Sequence, residues 1–156
     1  MEEKNVDQPR KSKLEAVIEG IAQELGLARD KGLVDDILEP CIIVIIGASG
    51  DLAGRKLLPA LFRLYRQRGL PPRFTILGCS RTKMSDEDWR ARARQSAADS
   101  ADFGGPLWDT FSANLFYRDL EYHDPDSFDR LAVQVKDLDH ARGTGGNRIF
   151  YLAIPP

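Results

Sequence analysis

The stretch Cys41-Ile42-Ile43-Val44-Ile45-Ile46-Gly47-Ala48-Ser49-Gly50-Asp51-Leu52-Ala53-Gly54 decides how this chain folds. Cys41 to Ile46 is an unbroken apolar run rich in β-branched residues, the pattern of a strand buried on both faces of a parallel sheet. A glycine-containing turn follows, and apolar residues then recur at helical spacing, at Leu57, Leu61, Leu64 and Tyr65. Pro59 falls inside that helix, which therefore either kinks there or restarts with proline at its first position.

Reading outward towards the C-terminus, Gly69 to Arg73 is a turn and Phe74 to Gly78 a second short buried strand. Ser85 suits a helix N-cap, and Asp86, Glu87 and Asp88 place acids in the first turn, where the helix dipole favours them. This helix is expected to run to about Ser100 with Trp89 on its inner face. Gly104-Gly105-Pro106 breaks the chain before a short helix over Leu107 to Phe111. A strand is expected over Leu115 to Tyr122, a helix over Ser127 to Leu138, a loop over Arg142 to Asn147, and a last strand over Arg148 to Ile154. The order β-α-β-α-β-α-β predicts an α/β fold, a Rossmann-like, open, mostly parallel sheet of about four strands with helices on both faces.

Upstream, Met1 to Ser12 is polar, and Lys13 to Leu38 carries Leu14, Val17, Ile18, Ile21 and Leu25 at roughly helical spacing. That segment reads as one helix, or as two with a break near Gly32, ended by Pro40. The chain thus divides into a polar terminus with a helical leader, 1–40, and a domain, 41–156.

Bulk properties narrow the function. Hydrophobic residues make up 42% and charged residues 29% of the 156, a globular balance. The net charge of −2 provides no general attraction for nucleic acid. Cys41 to Ile46 is too short to span a bilayer, and Met1 to Lys13 lacks the apolar centre of a signal peptide, so no membrane partner is expected. Two cysteines, Cys41 and Cys79, sit at the ends of apolar runs as small buried thiols do. They form neither a disulfide framework nor metal-ligand spacing, and a cytoplasmic location is expected.

The strand–turn–helix at Gly47 is where a dinucleotide-binding fold holds its pyrophosphate. Gly47 permits a turn too tight for a side chain, Gly50 lets the backbone approach the phosphates, and Ala53 is small enough for the helix to pack on the strand. The first helical N–H groups then face the anion, and Ser49 can add a hydroxyl. Glycines in a turn also serve as turn residues alone. The end of the second strand sets cofactor choice. There Cys79-Ser80-Arg81-Thr82-Lys83 carries two cations and no acid, which favours NADP over NAD, because Arg81 can pair with a 2′-phosphate and stack on adenine. An ordinary solvated loop arginine is the other reading.

Gly47-Ala-Ser-Gly-Asp-Leu-Ala-Gly-Arg-Lys-Leu-Leu-Pro-Ala-Leu-Phe62 resembles the first strand–turn–helix of the glucose-6-phosphate dehydrogenases. Gly78-Cys-Ser-Arg81, Leu107-Trp-Asp-Thr-Phe-Ser-Ala-Asn-Leu115 and Asn147-Arg-Ile-Phe-Tyr-Leu-Ala-Ile-Pro-Pro156 resemble later family segments in order and spacing, especially those of bacterial members. The resemblance covers Cys41 to Pro156. It implies that Gly47, Ala48, Ser49, Gly50, Asp51, Leu52, Ala53 and Gly54 wrap the pyrophosphate and that Arg81 binds the 2′-phosphate. It implies further that Glu121 and Tyr122 lie near the adenine, and Ala153 and Ile154 along the path to the nicotinamide.

The family's reaction is oxidation of glucose 6-phosphate to 6-phosphogluconolactone, with NADP as hydride acceptor, carried out by homo-oligomers. Its members continue with a Glu-Lys-Pro segment and an Arg-Ile-Asp-His-Tyr-Leu-Gly-Lys motif that grip the sugar phosphate, and with a histidine base. None of these is found in the 156 residues, so the resemblance implies a cofactor-binding part that is inactive alone, with no catalytic residue of its own. A Rossmann module that binds or regulates without catalysis is the alternative. His123 and His140 read as solvated, and Arg63, Arg66 and Arg68 as a solvated helix face.

Overall fold

A computed structural model describes residues 38–96 and 105–154. The expected leader helix, the end of the helix expected to reach Ser100, and the closing double proline lie outside them. Strands β1 (Cys41–Ile46), β2 (Phe74–Ser80), β3 (Leu115–Asp119) and β4 (Arg148–Leu152) form one parallel sheet in the order β3-β2-β1-β4. Helices α1 (Leu58–Arg66), α2 (Asp86–Ser96), α3 (Pro106–Ser112) and α4 (Pro125–Arg142) connect them.

The β1 run is buried at every position, as a central strand covered on both faces must be. Its alternate residues serve two cores. Cys41, Ile43 and Ile45 pack with Leu58, Leu61 and Phe62 of α1, Trp89 of α2, and Trp108 and Phe111 of α3. Ile42, Val44 and Ile46 face the opposite way, onto Leu131 and Val135 of α4. Each such side chain, removed from water, contributes roughly 1.5–3 kcal/mol. The two-sided α/β sheet expected from the pattern is therefore present, with four parallel strands.

Element ends differ from expectation where partners outside the local pattern decide them. β2 runs two residues past Gly78, because Cys79 and Ser80 pair with Arg118 and Asp119 of β3. β3 stops at Asp119 rather than Tyr122: Leu120 N–H donates to Ser80 O at 2.8 Å, and the chain then turns. α4 starts early, at Pro125, since the Asp124 side chain accepts from Asp126 N–H, and it runs on to Arg142, where Gly143 takes a φ of 63°. β4 ends at Leu152, although Ala153 N–H still donates to Ile46 O at 2.7 Å.

Pro59 is accommodated by a local widening. The helical turn that begins at Asp51 becomes π-helical over Ala53–Leu57, where Leu58 N–H donates to Ala53 O, and α1 follows with Pro59 in its first turn. A proline cannot donate to the carbonyl four residues back and crowds it, so a wider turn relieves both problems. Ser85 caps α2 as expected. Its Oγ accepts from Asp88 N–H at 3.0 Å, and the Asp88 carboxylate accepts from Ser85 N–H at 3.2 Å.

Candidate functional site

The site lies at the C-terminal ends of β1 and β2. Gly47 N–H and Ala48 N–H both donate to Cys79 O, at 2.7 and 3.0 Å, so the glycine turn is hung from the end of β2. Gly47 has a φ of 93°. Gly50 N–H returns to Gly47 O at 3.0 Å, and Gly54 N–H to Gly50 O at 3.2 Å is the first bond of the helix. The N–H groups of Asp51, Leu52 and Ala53 precede that bond and emerge at the positive end of the helix axis.

The turn is a cradle that a side chain would fill. A Cβ on Gly50 would meet Gly47 O at 3.1 Å and otherwise project into open space above the helix start. Ala53 is fully buried, which seats the helix on the sheet. Asp51 and Leu52 are exposed, and the Asp51 carboxylate faces Arg55 at 3.4 Å. Gly54 lies one turn further along the helix, with Ser96 Oγ 3.2 Å from the position of a Cβ, and borders the same side as Gly50 and Asp51. A hollow of about 340 Å³ opens beside the turn, bounded by Ala48, Gly50, Asp51, Arg55, Trp89 and Arg92. The Arg92 guanidinium donates to Ser49 O at 3.0 Å.

Arg81 is exposed just past β2, and its guanidinium lies over the Tyr122 ring, 5.5 Å from the centroid. Burial raises the Tyr122 phenol above its ordinary range, with Arg81 pulling the other way. Glu121 is exposed, and its N–H donates to the buried Ser127 Oγ at 3.0 Å. Ala153 and Ile154 are brought against Gly47, so the end of β4 closes the turn from the far side. The two histidines, His123 and His140, are exposed. Among the described residues no cluster of His, Cys, Asp or Glu is placed to hold a metal ion.

Several positions matter here through contacts that local sequence pattern does not show. A Cβ on Gly78 would stand 2.5 Å from the Trp89 ring and 2.8 Å from Ala48 Cβ. Only glycine lets that ring lie across β2, from where its Nε1–H points at Ala48 O, 3.4 Å away. Ser49 Oγ lies 2.7 Å from Ser80 Oγ and accepts from Thr82 Oγ1–H at 3.2 Å. Ser80 Oγ lies 2.6 Å from the Tyr117 phenol, which donates to Thr82 O at 2.6 Å. Ser80, Thr82 and Tyr117 are ordinary strand and loop residues by pattern, and only the pairing of β2 with β3 brings them together.

The features fit a dinucleotide: a turn open to backbone approach, a helix start directed at it, and a guanidinium on an aromatic ring beyond the second strand. Comparison with known proteins agrees. The family model described as "Glucose-6-phosphate dehydrogenase, NAD binding domain" matches residues 44–156. The chain is 39% identical over 119 residues to glucose-6-phosphate 1-dehydrogenase of Chlamydia pneumoniae, covering 75% of this chain and 23% of that one. To the Treponema pallidum enzyme it is 42% identical over 120 residues, again covering 75% of this chain and 23% of the other. A solved glucose-6-phosphate dehydrogenase in complex with its substrate superposes with a TM-score of 0.65 at 32% identity, over 76% of this chain and 25% of that one. The chain spans about a quarter of the length of these relatives. Over residues 44–156 it belongs to the glucose-6-phosphate dehydrogenase family, as that family's NAD-binding domain.

Proposed function

We propose that this chain binds NADP and orients its nicotinamide for oxidation of glucose 6-phosphate to 6-phosphogluconolactone, and that the 156 residues alone do not turn over. The observation that carries the NADP reading is Arg81, held over Tyr122 at a second-strand end whose Ser80-Arg81-Thr82-Lys83 contains no carboxylate. NAD sites place an acid there for the ribose hydroxyls, whereas a planar cation suits a 2′-phosphate.

Gly47, Ala48, Ser49 and Gly50 would lie along the pyrophosphate, with the Asp51, Leu52 and Ala53 N–H groups directed at its oxygens. Gly54, on the hollow beside the turn, would complete the wrap around the pyrophosphate. Glu121 and Tyr122 would border the adenine, and Ala153 and Ile154 would direct the cofactor towards the nicotinamide end. When bound, the cofactor accepts a hydride. Two buried free thiols, Cys41 and Cys79, suit a reducing compartment such as the cytoplasm.

Calorimetry on the chain and on Arg81→Ala tests this reading. NADP should bind more tightly than NAD, and Arg81→Ala should weaken NADP by roughly ten- to a hundredfold while changing NAD little. Equal losses for both would remove Arg81 from the 2′-phosphate. No NADPH should form from glucose 6-phosphate with the chain alone, and turnover above background would overturn that part.

A further inference from the structure

The hydroxyl chain beneath the glycine turn carries an inference that rests on the NADP reading and deepens it. Arg81 sits in a bend beyond the last paired residue of β2, and its own side chain is exposed. Its two neighbours are tied down by one atom. The Tyr117 phenol oxygen donates to Thr82 O at 2.6 Å and lies 2.6 Å from Ser80 Oγ. Ser80 Oγ in turn donates to Ser49 Oγ at 2.7 Å.

The phenol is itself packed into the core. Tyr117 is 2% exposed, its ring packs on Trp89 with centroids 5.7 Å apart, and its backbone N–H donates to Asp86 Oδ1 at 2.6 Å. Burial raises its pKa above the ordinary tyrosine value, which keeps the donating proton in place. The same chain continues through Ser80 to Ser49 in the glycine turn, and Thr82 Oγ1–H closes onto Ser49 from the other side. A single oxygen anchored in β3 therefore holds the backbone on both sides of Arg81 and links it to the phosphate turn.

We propose that Tyr117 is a positioning residue for the cofactor's 2′-phosphate: without touching the ligand, it holds Arg81 in place through the residues on either side of it. Tyr117→Phe removes the oxygen while leaving the ring on Trp89. Binding of NADP and NAD to the 156-residue chain is measured by calorimetry, with the ligand-free unfolding midpoint recorded for each variant. NADP affinity should fall about three- to tenfold, while NAD, which has no 2′-phosphate, changes by less than about twofold. In Arg81→Ala, adding Tyr117→Phe should weaken NADP no further, because the positioned group is already gone.

Should Tyr117→Phe fail to fold, Ser80→Ala, which breaks the same chain one atom further on, undergoes the same measurements with the same expectations. Equal losses of NADP and NAD, additive losses with Arg81→Ala, or unchanged NADP affinity would each overturn the assignment. A parent chain that binds NADP no better than NAD would instead overturn the NADP reading on which it rests.

Discussion

A Cβ on Gly47 would stand 2.4 Å from the carbonyl oxygen of Ala153, so the glycine turn and the end of β4 can meet only because position 47 has no side chain. Gly47 and Gly50, three residues apart, thus do different work. Gly47→Ala meets both that clash and a φ of 93°, and should cost about 2–4 kcal/mol of stability. Gly50→Val meets one carbonyl oxygen at 3.1 Å and should leave the fold largely intact while abolishing NADP binding. Thermal unfolding with and without NADP separates the two, since a ligand that binds the folded state raises the midpoint. A Gly50→Val chain that NADP still stabilised like the parent would mean the phosphates lie elsewhere.

Thr75 Oγ1, on β2, is buried with no hydrogen-bond partner among the described residues. Thr75→Val keeps the β-branched shape and exchanges the orphaned hydroxyl for a methyl. It should stabilise the chain by roughly 1–2 kcal/mol, raising the unfolding midpoint by a few degrees. A lower midpoint would show that the hydroxyl is bonded in solution.

Burial pushes the Cys79 thiol up to about 12 from an ordinary 9.0, with Arg118 pulling it partly back, and moves Cys41 in the same direction. A raised thiol pKa means the native state prefers the protonated form. That contribution is complete below pH 9.0 and disappears as pH rises through about 12. Thermal midpoints should therefore fall across this interval, and less steeply in Cys79→Ala. At about pH 8, both thiols should resist alkylation in the folded chain and react on addition of urea.

Among the described residues β4 is an end strand of the sheet, and Ile149, Phe150, Tyr151 and Leu152 are 41–67% exposed. An apolar edge strand is a template for pairing with another copy. Sedimentation over a concentration series should show self-association of the chain, reduced by Phe150→Lys with little change in melting. Equal association in that variant would place the contact elsewhere.

Local pattern was enough for β1, the turn after it and the order of elements. A run of β-branched residues allows one backbone state, and a glycine pair between strand and helix allows few turns. The place of Arg81 just past β2 was legible for a similar reason, as a cation where the second strand hands over. The ends of β2, β3 and α4 were not legible, since hydrogen bonds from distant residues set them. Nor were Gly78, Ser80, Thr82 and Tyr117. Gly78 is glycine because Trp89 lies across it, and the three hydroxyl residues form one chain because β3 pairs in register with β2. Those are contacts between residues far apart in sequence, and only the folded sheet brings them within reach.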